Sequence, residues 1–287
     1  MNKFSAPSII VMLIMASPLF AKPITFGPVK GKPGESIRLV THSESKDGTI
    51  VQRVDGEPSS GKIKIIRKRE LHWTFREPEA DGSRRGMVRV VRLSSSKSVN
   101  IDGQEKKSED ISPLTGKLFA MTKTPSGEWE FKLDGSFPLS KTRSDIEELK
   151  VYLKRKWFPD HAVNPGDSWE FDPTWVKMNI ERDLGKALTI GTMTLRQVRR
   201  SANRSMAVIG VSIRSTGEGF RKDGKLAEGT VDLKGELVVN LDTMLDESLE
   251  LEGTVTSNSQ MVGDSKKVVL PVRMVATKTL FKGGGIP

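Results

Sequence analysis

Cysteine is absent from the 287 residues. That absence removes disulfides, thiol nucleophiles and thiolate metal ligands together. Histidine occurs only three times, at His42, His72 and His161. His42 and His72 fall in alternating strand patterns, where a structural role is the simpler reading. His161 has Asp160 and Asp167 nearby, but no tandem metal-binding spacing such as H-E-x-x-H occurs. A nucleophile elbow, a phosphate-cradling loop and a dinucleotide fingerprint are also missing. The glycines of the C-terminal FKGGGIP have no helix after them to bind a phosphate. No catalytic, cofactor-binding or metal-ligating residue is assigned, and no cofactor is expected. Hydrolysis by two of the 36 acidic residues stays open, because carboxylates distant in sequence can converge in a fold.

Long apolar runs are lacking too. The longest lies near the N-terminus, Ile9 to Ala16, well short of the roughly 20 residues a membrane span needs. Lys3 precedes it, Pro18 breaks it, and Ala21 offers a small residue before Lys22. This is the pattern of an export signal cleaved after residue 21. No transmembrane span is expected after cleavage, and the mature chain is read as periplasmic or secreted. At 266 residues it is long enough to be held by its own core without disulfides.

Charge is plentiful and biased. Removing Lys3 with the signal leaves 45 basic residues against 36 acidic, a net charge of +9. The densest cluster is Lys62, Lys64, Arg67, Lys68 and Arg69. An anionic envelope component is one partner such a chain can attract. Nucleic acid is not expected, because export separates the chain from it and stacking aromatics are scarce beside the charge.

The rest reads as β structure. Short runs with an apolar and a polar face lie at 37–42, 49–54, 62–66, 71–76 and 86–93. They continue at 118–122, 129–133, 187–198, 205–216, 228–241, 246–257 and 266–281. Most are separated by Gly, Asp, Ser or Pro. Thr124 to Gly127 reads as a hairpin turn. Pro271 marks an edge strand or a bulge, since it cannot donate to a sheet ladder. One segment differs: SDIEELKVYLKRKW, from Ser144, sets Ile146, Leu149, Leu153 and Trp157 on one helical stripe. Ser144 and Glu147 form a capping box, and Pro159 follows the helix end. A weaker helix is expected from Asp172-Pro173 to about residue 184.

Two stretches echo one another. KPGESIRLV at 32–40 and NPGDSWEFD at 164–172 share Pro-Gly-acid-Ser, then apolar, charged, apolar. Downstream, Leu114-Thr115-Gly116-Lys117-Leu118 is matched by Leu233-Lys234-Gly235-Glu236-Leu237, and Leu133-Asp134-Gly135 by Leu251-Glu252-Gly253. The markers keep their order, which predicts an internal duplication. Residues 22–142 then form a first β-rich half, 143–158 a connecting helix, and 159–287 a second half. In that frame NPGDSWEFD is a corner: Pro165-Gly166 turns, and Trp169 and Phe171 enter a strand on one face.

The stretch FPDHAVNPGDSWEF also resembles a signature in exported, β-rich bacterial proteins of uncharacterised function. That resemblance implies compartment and fold, and brings no activity with it. The fold expected is mainly β, with antiparallel, curved sheets in two duplicated halves joined by the amphipathic helix. The function expected is a non-catalytic envelope protein that binds an apolar or lipidic ligand or an envelope partner. The alternative is a carboxylate-dependent hydrolase acting outside the cytoplasm.

Overall fold

The computed structural model describes residues 22–78, 80, 84–123, 129–133, 145–146, 157–172, 186–201, 203–220, 226–261 and 264–282. The expected export segment, the 124–127 turn and the weaker helix after Asp172-Pro173 lie outside these residues.

The first six strands are β1 Ser36–Val54, β2 Glu57–Phe75, β3 Arg84–Ile101, β4 Gln104–Ile111, β5 Leu118–Lys123 and β6 Trp129–Leu133. The next six are β7 Ser168–Glu170, β8 Lys186–Ser201, β9 Arg204–Phe220, β10 Leu226–Asn240, β11 Leu245–Met261 and β12 Asp264–Phe281. They form one open antiparallel sheet in the order β6-β5-β3-β2-β1-β12-β11-β10-β9-β8-β7, with β4 paired to β3. β4 and β5 follow one another along β3, at Ser94–Ile101 and Arg84–Arg89, and act as one strand split by the turn at 112–117.

Several strands are longer than the sequence runs suggested. The runs 37–42 and 49–54 are one strand, β1, as are 62–66 and 71–76 in β2. In β1 the ladder to β12 slips between Glu44 and Thr49. Pro271 faces that slip and sits in the middle of the sheet, paired with Thr254 on its other side. The edge-strand reading of Pro271 is therefore corrected, and the bulge reading holds. The missing amide falls where β1 offers no regular ladder.

Each half is a meander. β1 and β12 join the halves at the centre, which leaves β6 and β7 at the two edges. The path has eleven positions and every pairing is antiparallel, so β6 and β7 point the same way. Residues 134–167 link these two edges in sequence. Of the expected helix only Asp145, Ile146 and Trp157 are described; its other residues lie outside. Asp145 and Ile146 are helical, and Asp145 accepts a hydrogen bond from the Ser112 hydroxyl in the β4–β5 turn. Ile146 packs on a first-half cluster that includes Leu39, Leu114 and Phe119. Trp157 belongs to the second-half cluster with Phe171 and Met193.

The two echoing corners have the same hydrogen bonds. At the first, Lys32 N–H donates to Glu35 Oε2 at 2.8 Å, and Glu35 N–H to Lys32 O at 3.0 Å. At the second, Asn164 N–H donates to Asp167 Oδ2 at 2.7 Å, and Asp167 N–H to Asn164 O at 3.0 Å. Gly34 N–H reaches Phe75 O at 3.0 Å, and Gly166 N–H reaches Leu195 O at 2.7 Å. Ser36 and Thr74 share a hydroxyl hydrogen bond of 2.9 Å; Ser168 and Thr194 share one of 2.8 Å. Both glycines have positive φ, 84° and 101°, which L residues rarely adopt. The downstream echo is looser. Gly116 lies in the turn between β4 and β5, whereas Gly235 lies inside β10.

Candidate functional site

Side chains alternate across a strand, so register partners share a face. The face bearing the buried clusters is called inward here. The end of the sheet at the β1–β2 turn is called upper. The lower inward face is filled. Leu39, Leu71, Val90, Leu114 and Phe119 form one buried cluster, and the larger one joins Trp157, Val163 and Phe171 to inward residues of β8–β11 from Met193 to Leu251. A strap before β1 helps close it: Ile24 pairs with Val163 and Lys30 N–H donates to Thr243 O. Phe26 stacks on Phe158 at 4.4 Å between centroids. As the NPGDSWEFD reading required, Trp169 and Phe171 both pack in this cluster. Trp169 Nε1–H donates to Trp157 O at 2.8 Å.

Above the filled region, the inward face of the first half carries polar and basic rows. Thr41, Arg69 and Leu93 are in register, then Ser43, Arg67, Ser95 and Asp110, then Ser45, Ile65, Lys97 and Ser108. The next row up is apolar across five strands: Val99 on β3, Ile63 on β2, Gly48 on β1, Leu270 on β12 and Val255 on β11. Leu270 reaches this row at the β1 slip. A Cβ placed on Gly48 would lie 2.8 Å from both Ile63 Cγ2 and Leu270 Cδ2, so these two side chains meet over the glycine. Ile63 is buried, while Val99, Leu270 and Val255 are only half-buried.

The pleat divides the densest basic cluster. Lys62, Lys64 and Lys68 lie on the outward face, and Arg67 and Arg69 on the inward one. The signal for this was present in the sequence, because Ile63, Ile65 and Leu71 share the parity of the two arginines. The strap residues Ile24 and Phe26 were missed as core.

The histidines do not meet. His42 Nε2 lies 3.2 Å from Glu44 Oε2, and His72 Nε2 lies 3.0 Å from Glu70 Oε1, both on the outward face. His161 is exposed in its loop, and Asp167 is used by its corner. Among the described residues no group of three metal-ligating side chains gathers. The outward face carries cross-strand ion pairs. Arg38 binds Glu70 at 2.8 Å, and Arg273 lies within 3.2 Å of both Glu250 and Glu252. Burial pushes the Glu70 carboxyl up, but hydrogen bonds from Arg38 and His72 outweigh it and hold it below its usual range. Hydrogen bonds from His42 and Lys46 hold Glu44 down as well. An open depression of about 330 Å³ lies over the β1 slip, lined in part by Glu44, Asp47, Glu252 and Arg273. Among the described residues no helix is long and apolar enough to cross a membrane.

No family model matches this chain, and no curated protein does. Among solved structures, a DUF1329 family protein from Desulfovibrio piger aligns over 89% of this chain and 88% of its own, at 8% identity and a TM-score of 0.20. The COG4313 outer membrane channel from Pseudomonas putida aligns over 90% of this chain and 100% of its own, at 10% identity and a TM-score of 0.21. The β domain of the Bordetella autotransporter BrkA aligns over 85% and 97%, at 9% identity and a TM-score of 0.16. None superposes well enough to transfer a fold or a function.

Proposed function

We propose that this protein is an exported, non-catalytic carrier that shelters an apolar ligand on the upper inward face of its sheet. One observation carries the reading. A row of apolar side chains, Val99, Ile63, Leu270 and Val255, crosses five strands and is left half-buried at three of them. The lower part of the same face is packed by the strap, Ile146 and Trp157. An apolar sheet face needs a cover; here Ile63 is buried and Val255 packs against the second-half core, which leaves Val99 and Leu270 as the partly open part of the row. A sheet of this many strands also tends to curl.

The domain reading goes with it. The matched corners support two related halves, 22–142 and 159–287. The parallel β6 and β7 support a link at 143–158 that crosses the lower inward face. The amphipathic stripe through Ile146 and Trp157 suits a helix there, below the apolar row.

Titration with the apolar fluorophore N-phenyl-1-naphthylamine tests the site. Saturable binding near one equivalent, weakened in Leu270→Lys, is the expected result. Unsaturable uptake, or binding indifferent to Leu270→Lys, contradicts it. A hydrolase screen runs beside it, and turnover abolished by one carboxylate substitution replaces the carrier with the hydrolase reading. N-terminal sequencing of protein recovered from its native host tests export: a start at Lys22 is expected, and a start at Met1 contradicts it.

A further inference from the structure

We infer that the ligand is a single-chain anionic amphiphile, a long-chain fatty carboxylate, with its head at Arg67 and Lys97 and its tail along the apolar row. This rests on the carrier reading above and adds the chemical class.

The rows set the two parts of such a molecule side by side. Lys97 is in register with Ile65, one row below Ile63 and Val99. Arg67 is one row further down, beside Ser43 and Ser95. Arg67 and Lys97 are exposed on this inward face, where alternation would otherwise place apolar side chains. Arg69 adds a third cation below, and Lys106, in register with Val99, a fourth. Asp110, in register with Ser95, is the one carboxylate in these rows of β1–β4, so the belt is positive overall. Arg67, Arg69 and Asp110 already make polar or electrostatic contacts within the protein.

Charge and shape both favour a single chain. A guanidinium pairs with a carboxylate through two parallel hydrogen bonds, which fixes the head at one point. The tail then has one direction to follow. The second half continues the apolar row through Leu270 to Val255, with no cation in these positions, and ends at Val231, which is already buried in the second-half core. From Val99 to Val255 the row crosses four strand intervals, about 19 Å, which suits one extended acyl chain lying across the strands. Among the described residues this run of basic rows lies on β2 to β4. At the same height β12 presents Met274 opposite Ser43, and β11 presents Leu251 opposite Met274. The face is thus amphipathic from one half to the other.

The test compares palmitate with hexadecanol, which has the same chain without the charge, by displacement of a bound fluorophore from the full mature chain. Palmitate is expected to bind at least about tenfold more tightly, the strength of a charge-assisted hydrogen bond. In Arg67→Gln/Lys97→Gln that preference is expected to vanish, with a parent-like far-ultraviolet circular dichroism spectrum showing that the variant is folded. Equal affinity for the two ligands in the parent protein overturns the inference and leaves the apolar carrier standing. Extraction of phosphatidylglycerol from vesicles without palmitate binding overturns the single-chain assignment. Failure to bind palmitate, hexadecanol or vesicle lipid overturns the carrier reading itself.

Discussion

Glu35 and Asp167 do the same work at two corners of the sheet. Each carboxylate accepts the backbone N–H three residues before it, at 2.8 Å and 2.7 Å, and each residue's own N–H returns to the carbonyl of that earlier residue. Between them stand Gly34 and Gly166, both at positive φ with no heavy atom near the site of a Cβ. Substitution there meets no neighbour, so its cost is the backbone's alone. Gly34→Ala and Gly166→Ala are each expected to cost about 1 kcal/mol, and the Asn variants less, since Asn tolerates this region better. Denaturant unfolding of the four single variants checks it. An unchanged midpoint for Gly166→Ala contradicts the strained-turn account.

The corners were legible in the sequence because they depend on a few adjacent residues. Pro-Gly-acid-Ser carries its turn and its cap within itself. Strand lengths were less legible. On β1 the inward residues Thr41, Ser43 and Ser45 are polar, so alternation faded there and one strand read as two. On β2 Arg67 and Arg69 had the same effect. The downstream echo misled in detail, since Gly116 makes a turn and Gly235 lies in an unbroken strand. Pro271 suggested an edge because the slip in β1 that tolerates it lies more than 200 residues away in the chain. The row Val99–Ile63–Leu270–Val255 needed the β1–β12 pairing before it could be seen at all.

The second-half core depends on the aromatic pair Trp157 and Phe171, whose centroids lie 5.4 Å apart, edge to face. Phe171 is almost wholly buried at 1% exposure. Phe171→Ala is expected to destabilise by about 3–5 kcal/mol. A double-mutant cycle with Trp157→Ala should give a coupling of about 0.5–1.5 kcal/mol. Strict additivity contradicts the packing described.

Lys278 Nζ lies 2.5 and 2.6 Å from the two Asp246 carboxylate oxygens, and both side chains are only 13% exposed. Asp246→Ala leaves the ammonium without this partner in a mostly buried site, and a loss of about 3 kcal/mol is expected. Pairing Asp246→Leu with Lys278→Met should recover most of it, because no charge is then left buried. If the double variant is as unstable as the single one, the pair is not the cause.

Acid should weaken the outward face through Glu70 and Glu44. Both carboxyls sit below their ordinary value in the folded chain. Protons therefore bind the unfolded chain more tightly, and the stabilisation is present above the unfolded pKa of about 4.3. It is lost as pH falls through the lower folded values. Tm measured from pH 7 to pH 3 should drop in that range, and Glu70→Gln should flatten the drop. An unaltered acid slope in Glu70→Gln contradicts the role given to Arg38 and His72.

Native mass spectrometry of the protein purified from its own host's envelope tests the central claim most directly. A bound species of lipid mass, released by organic extraction, is expected, and Leu270→Lys no longer retains it. A protein that travels at its bare mass under gentle conditions, and takes up no amphiphile when one is supplied, contradicts it.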